Sequence, residues 1–237
     1  MNKITKTQKI CSIILKTIVV LSAVIGTLLS YLAGRNSFMG GNHVFMYFTI
    51  QSNIAIAIIS AIGLYLLLRN KPIGKVWYTI KFVGTVSITL TGVVFGLVLA
   101  PTLGANAWNL QNTLTHLIVP VVSVIDFFVM SNVATIKKIN ALYVIIPPIL
   151  YAIYAGIGYV NNWQFAEGIN YPYFFLNWGS EAGAFGFTNQ LPFMGSAWWI
   201  LLLLVFLIVV GYVYLAIAEL FGKKNSATFD KYSYSNT

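Results

Sequence analysis

Two polar clusters interrupt the apolar runs of this 237-residue chain, and they carry its best chemistry. The first is Met46-Tyr47-Phe48-Thr49-Ile50-Gln51-Ser52-Asn53; the second comprises Asn109, Asn112, Thr113, His116, Pro120 and Ser123, with Asp126 beyond. At 100° per residue, Thr49 and Asn53 share a helix face, and Asn109 to Ser123 form a stripe at spacings of three or four. A Thr hydroxyl is a weak nucleophile alone. A neutral imidazole within reach can take its proton during attack on an ester carbonyl and return it to the leaving alcohol. Asn112, Asn53 and Gln51 are the candidate donors to the developing oxyanion. The structural alternative is that Thr49 bonds its own helix carbonyl and His116 serves interhelical packing.

The elements that must position these groups are membrane helices. Hydrophobic residues make up 58% of the chain and charged residues 8%, with a mean hydropathy of +0.80. So few charges cannot cover a water-soluble body of this size, which excludes a soluble enzyme fold and a disordered chain. A hydrocarbon core about 30 Å thick needs roughly 20 apolar residues per helix. Runs of that kind predict six spans near 10–33, 44–68, 77–100, 110–130, 141–160 and 197–218. The absence of period-two alternation disfavours a transmembrane barrel, leaving an all-α, polytopic six-helix bundle over 1–222 and a disordered tail over 223–237. The first span lacks a small-residue cleavage site and reads as a retained anchor.

Orientation follows from the basic residues. Lys3, Lys6, Lys9, Lys16, Arg69, Lys71, Lys75, Lys81, Lys137, Lys138, Lys223, Lys224 and Lys231 fall on one side of this topology, against Arg35 alone on the other. The positive-inside rule then places both termini in the cytoplasm, and the formal charge of +9 reflects topology and attraction to anionic lipid rather than nucleic-acid binding. The chain is expected in the plasma membrane. The last outer loop, 161–196, has no Lys or Arg and is dense in aromatics, which suits an interfacial belt or a lid over the bundle. Cys11 is the single cysteine, His43 a loop histidine, and no zinc spacing or cofactor motif is present, so no metal and no cofactor is expected.

Segments two and four both enter from the outer side, so Thr49 and His116 each sit about 8–9 Å below their helix mouths. Asp126 is ten residues past His116, about 15 Å deeper, too far to orient that imidazole. It is expected to pair with a Lys or Arg near the cytoplasmic end. Two other function classes are open at this point. One is a small transporter relaying protons through His116 and Asp126. The other is a scaffold packing partner helices on the small-residue stripe Thr85, Thr89, Gly92 and Gly96.

Three motifs in order, Tyr47-Phe48-Thr49-x-Gln51-Ser52-Asn53, Asn112-x-x-x-His116-x-x-x-Pro120 with Asp126, and Tyr171-Pro172-Tyr173-Phe174-Phe175-Leu176, resemble the androgen-induced (FAR-17a-like) membrane family and its bacterial six-pass relatives. Animal members of that family are intramembrane threonine hydrolases that cleave fatty-acid esters of hydroxy fatty acids with one Thr and one His. The resemblance therefore implies a lipid or fatty-acyl ester substrate, Thr49 as nucleophile, His116 as base, and Tyr171 and Pro172 over an acyl site. Relatives tend to read Tyr-Pro-x-Pro-Phe-Leu and then an acid, where this chain has Phe174 and Asn177.

Overall fold

Every long apolar run is helical because, without water, only an intrasegment hydrogen-bond ladder satisfies the backbone. The computed structural model describes residues 4–34, 41–131 and 135–233, with backbone alone at 106 and 222–233. Six helices are long and apolar enough to cross a membrane: α1 Lys6–Gly34, α2 Phe48–Leu68, α3 Lys75–Leu103, α4 Leu110–Val129, α5 Lys138–Val160 and α6, whose apolar part is Ser196–Phe221. Among the described residues there is no strand, only isolated bridges at Ala166–Ile169 and Phe187–Met194. The backbone of α6 stays helical through Ser233, where a disordered tail was expected from Lys223. Lys3, Arg35 and 234–237 lie outside the described residues.

Helices α1 to α4 form the packed centre, with α1 against α2 and α4, and α3 against α2 and α4. Helix α6 lies along the first turns of α5 and touches α3. Lipid-facing positions such as Leu21, Ile58, Leu97, Leu150 and Val205 stay exposed, as expected where lipid replaces water as the outer solvent.

One polar knot ties α1, α3 and α4 together. The Asp126 carboxylate accepts from Lys16 Nζ at 2.7 Å on both oxygens and from Ser12 Oγ at 2.6 Å, and Lys81 Nζ lies 2.9 Å away. The expected pairing of Asp126 is thus present, with two lysines. This corrects the charge count: Lys16 and Lys81 are 4% and 6% exposed, so they neutralise a buried carboxylate and do not mark a helix mouth. The remaining basic residues still favour the same side.

The aromatic loop forms a lid. Phe165, Phe175 and Leu176 are buried with Tyr47, Tyr151 and Ala155, and Tyr47 Oη donates to the Phe165 carbonyl at 3.2 Å.

Candidate functional site

Thr49 occupies the first turn of α2, where backbone N–H groups lack intrahelical acceptors. The preceding Tyr47 is extended and offers no side-chain cap. The lid supplies one instead: Tyr173 Oη accepts from the Thr49 N–H at 3.3 Å and lies 3.3 Å from Thr49 Oγ1. Tyr173 is held by stacking on Phe175, with ring centroids 5.0 Å apart, and by the edge of Tyr47 at 5.7 Å. Burial raises the Tyr173 phenol above its ordinary range, so it stays a neutral O–H beside Thr49.

His116 sits in a π-helical turn, Leu114–Ile118, and the ring it stacks on, Phe95, opens a second π-helical turn, Phe95–Leu99. Each π turn begins six residues before a proline, Pro120 in α4 and Pro101 in α3. Proline has no N–H for the carbonyl four residues back and crowds it, and a one-residue widening of the helix relieves that conflict. The widened turns bring the Phe95 and His116 rings to 3.8 Å at an interplanar angle of 25°. Gly92 allows this approach, since a Cβ there would stand 2.9 Å from the His116 carbonyl oxygen.

The tautomer of His116 follows from its neighbours. Nδ1 is 3.1 Å from the Asn112 carbonyl and 2.9 Å from Thr115 Oγ1, and that hydroxyl already donates to the Gln111 carbonyl at 2.8 Å. Both neighbours are therefore acceptors for the ring, which assigns the proton to Nδ1 and leaves Nε2 as the basic nitrogen.

Thr49 and His116 line one cavity of about 420 Å³ under the lid, together with Asn112, Tyr171, Pro172 and Tyr173. That volume lies within the range of small-molecule sites. Among the described contacts no hydrogen bond joins Thr49 to His116; the hydroxyl rests on Tyr173 and the cavity lies open to both. Asn112 contributes mainly through its backbone, because its amide donates to the Ala107 carbonyl at 2.8 Å.

Two expected donors are placed elsewhere. Asn53 is fully buried and its amide nitrogen donates to the carbonyls of Thr49 at 2.8 Å and Thr115 at 3.1 Å. It clamps α2 to α4 beside both candidate residues without lining the cavity. Gln51 points to the other side of α2, where it donates to the Phe45 carbonyl at 3.1 Å and borders a separate groove. Residues 49 and 51 are 200° apart on a helix, so spacing alone already separated them. Tyr173, Phe95 and Thr115 were missed as site residues. Prolines inside apolar spans were the available signal for Phe95; nothing in the sequence pattern marked Thr115.

Most of the residues behind the transporter and scaffold readings have partners elsewhere in the bundle. Asp126 is held by Lys16, Lys81 and Ser12 and does not line the cavity of His116. Three of the four stripe residues are engaged within the bundle: Thr85 is fully buried, Thr89 bonds Tyr214 at 3.0 Å and Gly92 abuts α4, while Gly96 has nothing within 4 Å. Among the described residues no three His, Cys, Asp or Glu converge. The chain matches no family model, no curated protein and no solved structure.

Proposed function

We propose that this integral membrane protein is a threonine-dependent hydrolase of fatty-acyl esters, in line with the family its motifs resemble. The observation that carries the reading is the shared cavity: Thr49 at a helix N-terminus and His116, whose Nδ1 is engaged by the Asn112 carbonyl, both line one cavity of about 420 Å³ beneath an aromatic lid. The Thr49 hydroxyl adds to the ester carbonyl while its proton passes to His116 Nε2. The tetrahedral intermediate then expels the alcohol, which leaves with that proton. Water, deprotonated by the same nitrogen, cleaves the acyl-threonine and releases the acid. The net reaction is ester plus water to acid plus alcohol, and it needs no redox partner.

Positive charge at the start of α2 favours an oxyanion there, and the neutral phenol of Tyr173 is the nearest side-chain donor. The resting contact between Thr49 and Tyr173 is exchanged when substrate enters, as catalytic hydrogen bonds often close only in the complex. Labelling of the detergent-purified protein by a fluorophosphonate tests the reading. Thr49→Ala should abolish labelling, and His116→Ala should slow it by about 100-fold or more. Undiminished labelling of the Thr49→Ala variant refutes the assignment.

A further inference from the structure

We infer that the groove between α2 and α5 binds a single fatty-acyl chain and delivers its ester end to Thr49 past Phe48 and Tyr151. The delivery step rests on the hydrolase reading; occupancy of the groove does not.

Helices α2 and α5 are not packed along their length, and α3 forms the back wall between them. The resulting groove has a volume of about 590 Å³ and an almost wholly apolar lining. Small side chains make its floor, Ser52 and Ala55 from α2 and Ser87 from α3. Gly84 keeps it open, because a Cβ there would stand 2.6 Å from Ile59 Cδ1 and push that side chain outward.

Dimensions select the occupant. On α2 the groove runs from Phe48 to Ile59, about 16 Å at 1.5 Å per residue. This matches one leaflet, half of a hydrocarbon core about 30 Å thick. A groove of one leaflet's length with an apolar lining suits one extended hydrocarbon chain.

The groove borders the candidate site. Phe48 and Tyr151, with ring centroids 5.3 Å apart, line both the groove and a small apolar void of about 60 Å³ that also touches Thr49 and Tyr173. Thr49 and Tyr173 in turn border the cavity of His116. The void is too small for a long chain, so only the first carbons beside the ester occupy it and the groove takes the rest. The alcohol portion then lies on the His116 side, where Asn109, Gln111 and Thr102 offer polar contacts near the outer surface.

The test uses the full chain in phospholipid nanodiscs and a palmitic acid analogue with a mid-chain diazirine. Photolysis and peptide mapping should concentrate adducts on α2 around Ala55–Ile59 and on α5 around Leu150–Tyr154. Ala55 is exposed, so Ala55→Trp fills the groove without disturbing the core and should lower adduct yield severalfold; Ala55→Leu gives a milder version. Val205→Trp, on a lipid-facing position of α6, should change nothing. Adducts spread evenly over all lipid-facing helices, or unchanged in Ala55→Trp, overturn the binding site. Delivery is read with acetyl and hexadecanoyl p-nitrophenyl esters. Ala55→Trp should cost about tenfold or more on the long ester and leave the acetyl ester unchanged. Thr49-dependent hydrolysis with an unaltered chain-length profile overturns delivery alone. Hydrolysis that persists in Thr49→Ala overturns the hydrolase reading while the adduct map still decides the groove.

Discussion

Replacing Asp126 by Asn is the sharpest perturbation of the bundle's stability. The carboxylate is fully buried and is the counter-charge for two lysines, with contacts of 2.7 Å to Lys16 and 2.9 Å to Lys81. Removing one member of a buried ion pair costs about 3–5 kcal/mol because the survivor is left uncompensated. Here two ammonium groups are left, so the upper end, about 5 kcal/mol, is expected. The opposite deletion is mild. Lys81→Met leaves Asp126 with Lys16 and Ser12, including all three hydrogen bonds at 2.6–2.7 Å, and it removes the surplus cation. Its expected cost is below about 1 kcal/mol, the worth of replacing one ion contact by packed hydrocarbon. For a chain of this size each kcal/mol shifts Tm by about 2–4 °C, so Asp126→Asn should lower it by about 10–20 °C and Lys81→Met by less than about 4 °C. The six tryptophans report unfolding by fluorescence in detergent micelles. Equal losses in the two variants would refute the charge argument. So would a triple change of Lys16, Lys81 and Asp126 to hydrophobic residues that melted lower than Asp126→Asn.

Asn53→Leu should be nearly neutral for stability, since the hydrogen bonds lost to Thr49 and Thr115 are offset by removal of a buried Oδ1 that has no partner. It should still lower fluorophosphonate labelling by about tenfold by freeing α2 from α4; a variant that labels normally removes Asn53 from the positioning of the site. Gly92→Ala sets a Cβ 2.9 Å from the His116 carbonyl and should cost about 1–3 kcal/mol, together with labelling. Gly96→Ala meets nothing within 4 Å and should be neutral or slightly stabilising in the same thermal assay.

The spans were legible because an uninterrupted apolar run has one solution in lipid, and their predicted limits fall within a few residues of the observed apolar helices, although the backbone of α6 runs on to Ser233. The pairing of Asp126 was legible in kind, since a membrane carboxylate needs a cation. Its partners were not, because Lys16 and Lys81 sit near helix ends where snorkelling to the surface is equally plausible from sequence. The relation of Thr49 to His116 was partly legible: depth put them at one level, but which faces meet depends on the crossing of α2 and α4. That crossing is set by contacts of single residues, the Asn53 clamp and the Gly92 approach, which no periodicity encodes. The π turns belong to the same class, visible in the sequence only as two prolines inside apolar runs.

The two ends of the bundle treat polar groups in opposite ways, and this contrast separates a structural cluster from a candidate site. In the half toward the start of α1, Ser12, Lys16, Lys81 and Asp126 turn on one another, and all but Ser12 border a void of about 20 Å³, room for about one water. Their hydrogen bonds close on themselves, and stability explains them. In the opposite half the hydrogen bonds end beside the cavity. His116 uses Nδ1 on backbone and Thr115, Asn53 locks the two carrier helices, Tyr173 caps α2 and contacts the Thr49 hydroxyl, and Thr49 and His116 both line the cavity. Polar groups inside a membrane are costly wherever they lack partners. Two π turns and an aromatic lid hold Thr49 and His116 beside a cavity, whereas the charges of the other polar cluster are engaged with one another, and this contrast is what supports the hydrolase proposal.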